Sequence, residues 1–94
     1  MKPIFEWDEE KAKVNLRKHK VSFDEAETVF DDPLSVTISD PDHSKSERRF
    51  LDIGESENDR IIVVSYTQRG SITRLISARV ATRTEREKYA EENA

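Results

Sequence analysis

Cysteine is missing from all 94 residues of this chain, and glycine and histidine occur only twice each. Each scarcity removes a class of chemistry. Without cysteine there is no disulfide framework and no thiolate metal site. Two glycines cannot build a phosphate-cradling glycine loop. The histidines, His19 and His43, lie far apart and outside the H-x₃-H and H-E-x-x-H spacings through which two imidazoles share a zinc ion. Asp40 and Asp42 beside His43 read as a solvated turn, and Ser65 and Ser77 as strand serines with no marked base. No metal site and no cofactor is expected. No apolar run is long enough to cross a membrane, and the opening MKPIFEWDEEK lacks a signal-peptide core. The expectation is one small soluble domain, residues 1–94, in a reducing cytoplasm.

Charge is plentiful, at 38% of residues against 34% hydrophobic, which fits a thin core under long charged helix faces. The net charge of −4 is unusual for a nucleic-acid binder, but its distribution matters more than its sum. Residues 1–43 hold 6 basic and 11 acidic side chains, whereas residues 44–94 hold 10 and 9. Of the nine arginines only Arg17 precedes residue 48. Fork-shaped, permanently charged groups therefore gather in the second half, where they can hold phosphate despite an acidic whole.

Along the chain, Lys2 to Trp7 reads as a first strand. Asp8 is an N-cap for a helix from Glu9 to His19, with acidic residues in its first turn and a basic end, both favoured by the helix dipole. Ser22 and Glu25 form a capping box and Val21 and Ala26 a hydrophobic staple for a second helix, which continues through Val29 and Phe30 to Asp31-Asp32-Pro33. Leu34–Ser39, Arg48–Ile53, Arg60–Thr67 and Ile72–Val80 read as strands joined by short loops. Gly54 closes the second of these, and Gly70 sits in the hairpin before the last. The run 60–67 is the most apolar and should be central. Thr82 and Glu85 form a second capping box opening a helix over about 83–92, frayed beyond Tyr89. The order β-α-α-β-β-β-β-α predicts an α+β fold, an antiparallel sheet with two N-terminal helices on one face and the other face open.

The open face would carry Arg48, Arg49, Arg60, Arg74 and Arg79, with Arg83 and Arg86 at the last helix. Tyr66 and Tyr89 offer phenols or stacking surfaces. Strand alternation puts Arg74 and Arg79 on opposite faces, so that whichever the helices cover leaves the other exposed. RNA cleavage without metal needs a base for the 2′-hydroxyl, a cation for the phosphate, and an acid for the leaving 5′-oxygen. Arginine suits the cation. The base and acid would come from His43, a tyrosine, a carboxylate or the RNA's own surroundings. The plainer alternative is that these arginines are solvated surface.

The blocks FEWDEEKAKVNLRKHKVSFDEAETVFDDP at 5–33, DPDHSKSERRFLDIG at 40–54 and RLISARVATRTEREKY at 74–89 resemble, in order and over nearly the whole chain, the BrnT toxin family. The resemblance implies a RelE-like ribonuclease fold in a type II toxin–antitoxin pair, whose toxin cleaves RNA and stops translation. It also implies a BrnA-like antitoxin with a ribbon-helix-helix region, and DNA binding and operon repression only by the complex. Many relatives have glycine where Lys20 stands. Arg79, Arg74, Arg83 and His43 are then the catalytic candidates, and Arg48, Arg49, Arg60, Tyr66, Arg86 and Tyr89 the RNA-binding ones. The competing reading is a non-catalytic module whose open sheet receives a protein or nucleic-acid partner. A regulator acting alone fits the acidic charge poorly.

Overall fold

The structure, a computed structural model, describes residues 4–40 and 47–94. Strand β1 (Ile4–Glu6) leads into helices α1 (Glu9–His19) and α2 (Phe23–Thr28), the latter tightening into a 3-10 turn at Val29–Asp31. Strands β2 (Val36–Asp40), β3 (Arg49–Glu55), β4 (Ile61–Arg69) and β5 (Ile72–Val80) follow, and helix α3 (Arg83–Glu92) ends the chain. The element order is the expected one.

Local chemistry sets the helix ends. The Asp8 carboxylate accepts from the backbone N–H of Glu10 and Lys11 at 2.8 and 3.1 Å, satisfying donors that the first turn leaves open. Helix α1 stops at Lys20, whose φ of 60° is the left-handed conformation that glycine adopts without strain. The Ser22 hydroxyl accepts from Glu25 N–H at 3.0 Å, but the Glu25 side chain does not return to complete the expected box. It turns inward to Ser56 and Arg60 instead, because a carboxylate only 4% exposed needs a cation more than a backbone amide does. The Thr82–Glu85 box is complete. Helix α3 runs on past Tyr89 to Glu92, and Asn93 ties its end to Leu34 and Tyr89 carbonyls.

The five strands lie in the order β1-β5-β4-β3-β2, with β4 central. Strands β2 to β5 form the antiparallel meander. Strand β1 joins the β5 edge in parallel, Ile4 opposite Ile72, so the sheet is mixed. That pairing needs a crossover, which the two N-terminal helices and three strands supply.

Two apolar clusters flank the sheet. Helices α1 and α2 cover one face, where Val21, Phe23, Ala26 and Val29 pack on Ile62, Val64, Tyr66, Leu75 and Ala78. Phe30 lies edge-on between Phe5 and Tyr66, at 5.1 and 5.0 Å between centroids. The opposite face is only partly open, which corrects the expectation. Its Ile53 and Val63, with Ile38, Leu51 and Ile61, pack with Ala81 and Tyr89 at the α3 end. Gly54 lies inside β3 rather than closing it, and a Cβ there would stand 2.9 Å from Val29 Cγ1 and 3.0 Å from Ser35 Cβ. The close approach of β3 to the 3-10 turn requires glycine.

Candidate site on the open face of the sheet

Beyond the cover of α3, the register sets residues in rows across the sheet. One row reads Asp40, Arg49, Thr67, Arg74 and Glu6. The next reads Ile38, Leu51, Ser65, Ser77, and a third Val36, Ile53, Val63, Arg79. A cavity of about 340 Å³ is lined by Asp40, Arg49, Leu51, Ser65, Ser77 and Arg79. Two cations thus face one shallow depression floored by hydroxyls.

Arg74 and Arg79 lie on the same face, contrary to simple alternation. Ser65 pairs with Ser77 but Tyr66 pairs with Leu75, which leaves Ile76 as an extra residue in β5. This bulge reverses the parity of everything beyond it. Arg74 sits opposite Thr67 and Arg79 opposite Val63, two positions of β4 that share a side. Leu75 and Ala78 both go to the helix-side core for the same reason.

Asn15 braces the strand just beyond the bulge. Its carboxamide nitrogen donates to the carbonyls of Ala78 at 2.8 Å and Val21 at 2.9 Å, and its oxygen accepts from Ala78 N–H at 3.1 Å. The side chain, only 5% exposed, thereby acts as the missing neighbour strand next to Arg79. Nothing local marks a helix residue that bonds a backbone 63 positions away.

The open-face arginines are held by carboxylates from other elements. Arg79 donates two parallel bonds to Glu85, at 2.7 and 2.8 Å, and the same carboxylate accepts from Thr82 N–H at 2.8 Å. The Arg79 guanidinium, followed by the capping contacts, holds the Glu85 carboxyl down at about 2 against the cost of burial. So acidic a group stays ionised and is a poor proton acceptor at neutral pH. Arg74 donates to Glu6 at 2.7 Å, and Arg69, the last residue of β4, to Glu47 at 2.6 Å. Between Arg49 and Arg74, the buried Thr67 hydroxyl makes no hydrogen bond among the described residues. Arg83 reaches Glu87, one turn along α3, and is 87% exposed, while Arg86 donates to the Ala81 carbonyl at 3.0 Å.

Four candidates fall elsewhere. Arg60 is a scaffold residue: it pairs with Glu25 of α2 and donates to the Lys20 carbonyl at 3.0 Å, joining the helices to the start of β4. Tyr66 cannot stack on a ligand, because it is 8% exposed on the helix side and its hydroxyl donates to Asp52 at 2.8 Å. Burial, and then the Asp52 charge, raise that phenol well above its usual range. Arg48 lies over Phe50, 5.6 Å from the ring centre, and Phe50 packs with the helix-side core, so neighbouring Arg48 and Arg49 part company. Tyr89 joins α3 to Asp32, donating at 2.7 Å, and burial and that bond push its phenol up to about 12. His43 lies outside the described residues. Among those described, no three His, Asp or Glu side chains gather to hold a metal ion.

Two comparisons bear on this arrangement. A family model described as "Ribonuclease toxin, BrnT, of type II toxin-antitoxin system" matches residues 7–85. The fold is similar to the 1.1 Å crystal structure of the Brucella abortus ribonuclease toxin BrnT, with a TM-score of 0.65 and 30% identity over 88% of this chain and 99% of that one. No curated protein matches the sequence.

Proposed function

The chain belongs to the BrnT family of ribonuclease toxins of type II toxin–antitoxin systems, and on that premise we propose that its open sheet face is the RNA-cleaving surface. The observation that carries this reading is the bulge at Ile76, which brings Arg74 and Arg79 to one side of the sheet. The reaction is endonucleolytic and independent of metal. A base takes the proton of the RNA 2′-hydroxyl, whose oxygen bonds to the adjacent phosphorus. The bond from phosphorus to the 5′-oxygen breaks, and that oxygen takes a proton from an acid.

In this reading Arg79 neutralises the charge that grows on the phosphate, Arg74 and Arg49 hold the backbone, and Arg83 and Arg86 extend the track. Both leading arginines start in ion pairs with Glu85 and Glu6. Such half-exposed pairs contribute about 1 kcal/mol or less, so an RNA phosphate can take over the guanidinium. His43, from its place in the D-P-D-H block, remains a proposed proton carrier. The partner is a BrnA-like ribbon-helix-helix antitoxin, and the complex rather than the toxin binds operator DNA. Cleavage in the cytoplasm would stop translation.

The test pairs growth with chemistry. Arg79→Ala should abolish growth arrest and RNA cleavage in EDTA, while the folded protein still co-purifies with its antitoxin. Cleavage retained at equal expression would refute the reading. Defined fragments absent at every protein-to-RNA ratio, even for the wild type, would favour a non-catalytic binding module.

A further inference from the structure

A second depression lies at the β5 edge of the sheet, where Ile76 of the bulge and Ser77 meet α1. Strand β1 covers β5 only from Ile72 to Arg74, so the edge of β5 beyond Arg74 meets α1 instead of a strand. Between them runs a groove of about 330 Å³, lined by Val14, Ile76, Asn15 and Ser77 with Lys18 and His19 among its polar residues. Its walls are mostly carbon. Val14 is 46% exposed there, one of two exposed apolar side chains of α1 with Leu16.

Ser77 lines both this groove and the Arg49–Arg79 depression, so the two adjoin at that residue. A polymer whose phosphate rests on Arg79 can therefore continue over the β5 edge. Apolar walls beside an imidazole suit the flat face of a base, and the ammonium of Lys18 suits the next phosphate. Glu10 and Lys11 also line the groove. The Glu10 carboxylate is already drawn to Lys13 at 3.5 Å.

We propose that the groove between α1 and the edge of β5 is a nucleobase subsite, which takes one unstacked base of single-stranded RNA next to the phosphate bound at Arg79. This rests on the reading of the open face as the cleavage surface. Asn15 gives the subsite a fixed floor, because its carboxamide is committed to Ala78 and Val21.

The experiment uses a single-stranded oligoribonucleotide containing one cleavage site, and a series in which each flanking base in turn is replaced by an abasic ribose. With the wild-type chain, one abasic position should raise KM about tenfold, the loss expected for one stacked base, with kcat nearly unchanged. Val14→Glu should raise KM similarly on the intact oligonucleotide and make that abasic position silent. His19→Ala should do the same more weakly, and it keeps the test available if Val14→Glu does not fold. Leu16→Glu, at the other exposed apolar position of α1 and outside the groove, should behave as wild type. A flat abasic series, or an abasic effect that persists in full in Val14→Glu and His19→Ala, overturns the subsite. Arg79→Ala run in parallel separates the two readings. Cleavage retained there defeats the catalytic assignment, whereas cleavage lost there with the groove variants unaffected defeats only the subsite.

Discussion

Two arginine–glutamate pairs stand on opposite sides of the sheet, with the same forked chemistry and different surroundings. Arg60 meets Glu25 where the carboxylate is 4% exposed, and further bonds to Lys20 and Ser56 surround the pair. Arg79 meets Glu85 where the guanidinium is 40% exposed, beside a depression that can admit a ligand. In the first pair each charge is committed, and separating them would strand a carboxylate away from water. The second pair can open at little cost. A cation becomes available for phosphate less through its own identity than through what its partner would suffer on losing it.

The sharpest way to break this comparison is to remove both arginines and read activity and stability separately. Arg79→Ala should lower RNA cleavage by about 100- to 1,000-fold, the usual cost of losing a group that stabilises transition-state charge, while stability falls by no more than about 1 kcal/mol. Arg60→Ala should do the reverse. It leaves Glu25 buried and unpaired and should cost about 3 kcal/mol in urea unfolding, while the folded fraction cleaves normally. Equal effects of both variants on cleavage would erase the distinction.

A smaller stability effect is expected from Asn15→Leu, which strips Ala78 of both its hydrogen-bond partners. The loss should be about 2 kcal/mol, with faster hydrogen exchange at Ala78.

Two carboxylates, Glu85 and Asp52, respond oppositely to acid. Glu85 is held at about 2 when folded, against an ordinary 4.5. Its contribution is complete above pH 4.5 and is lost as pH falls through 2. Asp52, desolvated on the helix side, has a raised pKa despite bonds from Thr37 and Tyr66, so its unfavourable contribution eases as pH falls. Glu85→Gln should therefore melt below wild type by about 1 kcal/mol at pH 7, after allowance for solvent, and the gap should close near pH 2. A gap that persists in acid would contradict the ion-pair origin. Least of all, Arg83→Ala should alter stability by about 0.3 kcal/mol, since its partner is an exposed residue one turn away.

Much of the fold was legible in local pattern. The limits of α1 and β5, the caps at Asp8, Ser22 and Thr82, and the central place of β4 all follow from neighbours a few residues apart. The resemblance carried by the 5–33, 40–54 and 74–89 blocks named the family before any geometry was known. The site was less legible. Arg60 and Tyr66 looked like open-face residues because a strand's pattern does not tell which of its polar groups meets a buried carboxylate.

Sequence alone determined the order of helices and strands, and that the cations gather in the second half, because capping, alternation and composition are local properties. Tertiary structure decided which cations share a face. Ile76 becomes a bulge only through the pairing of β5 with β4, and Asn15 braces the shifted strand from a distant helix. A one-residue shift inverts side-chain parity, so the contacts that set it lie between segments far apart in the chain.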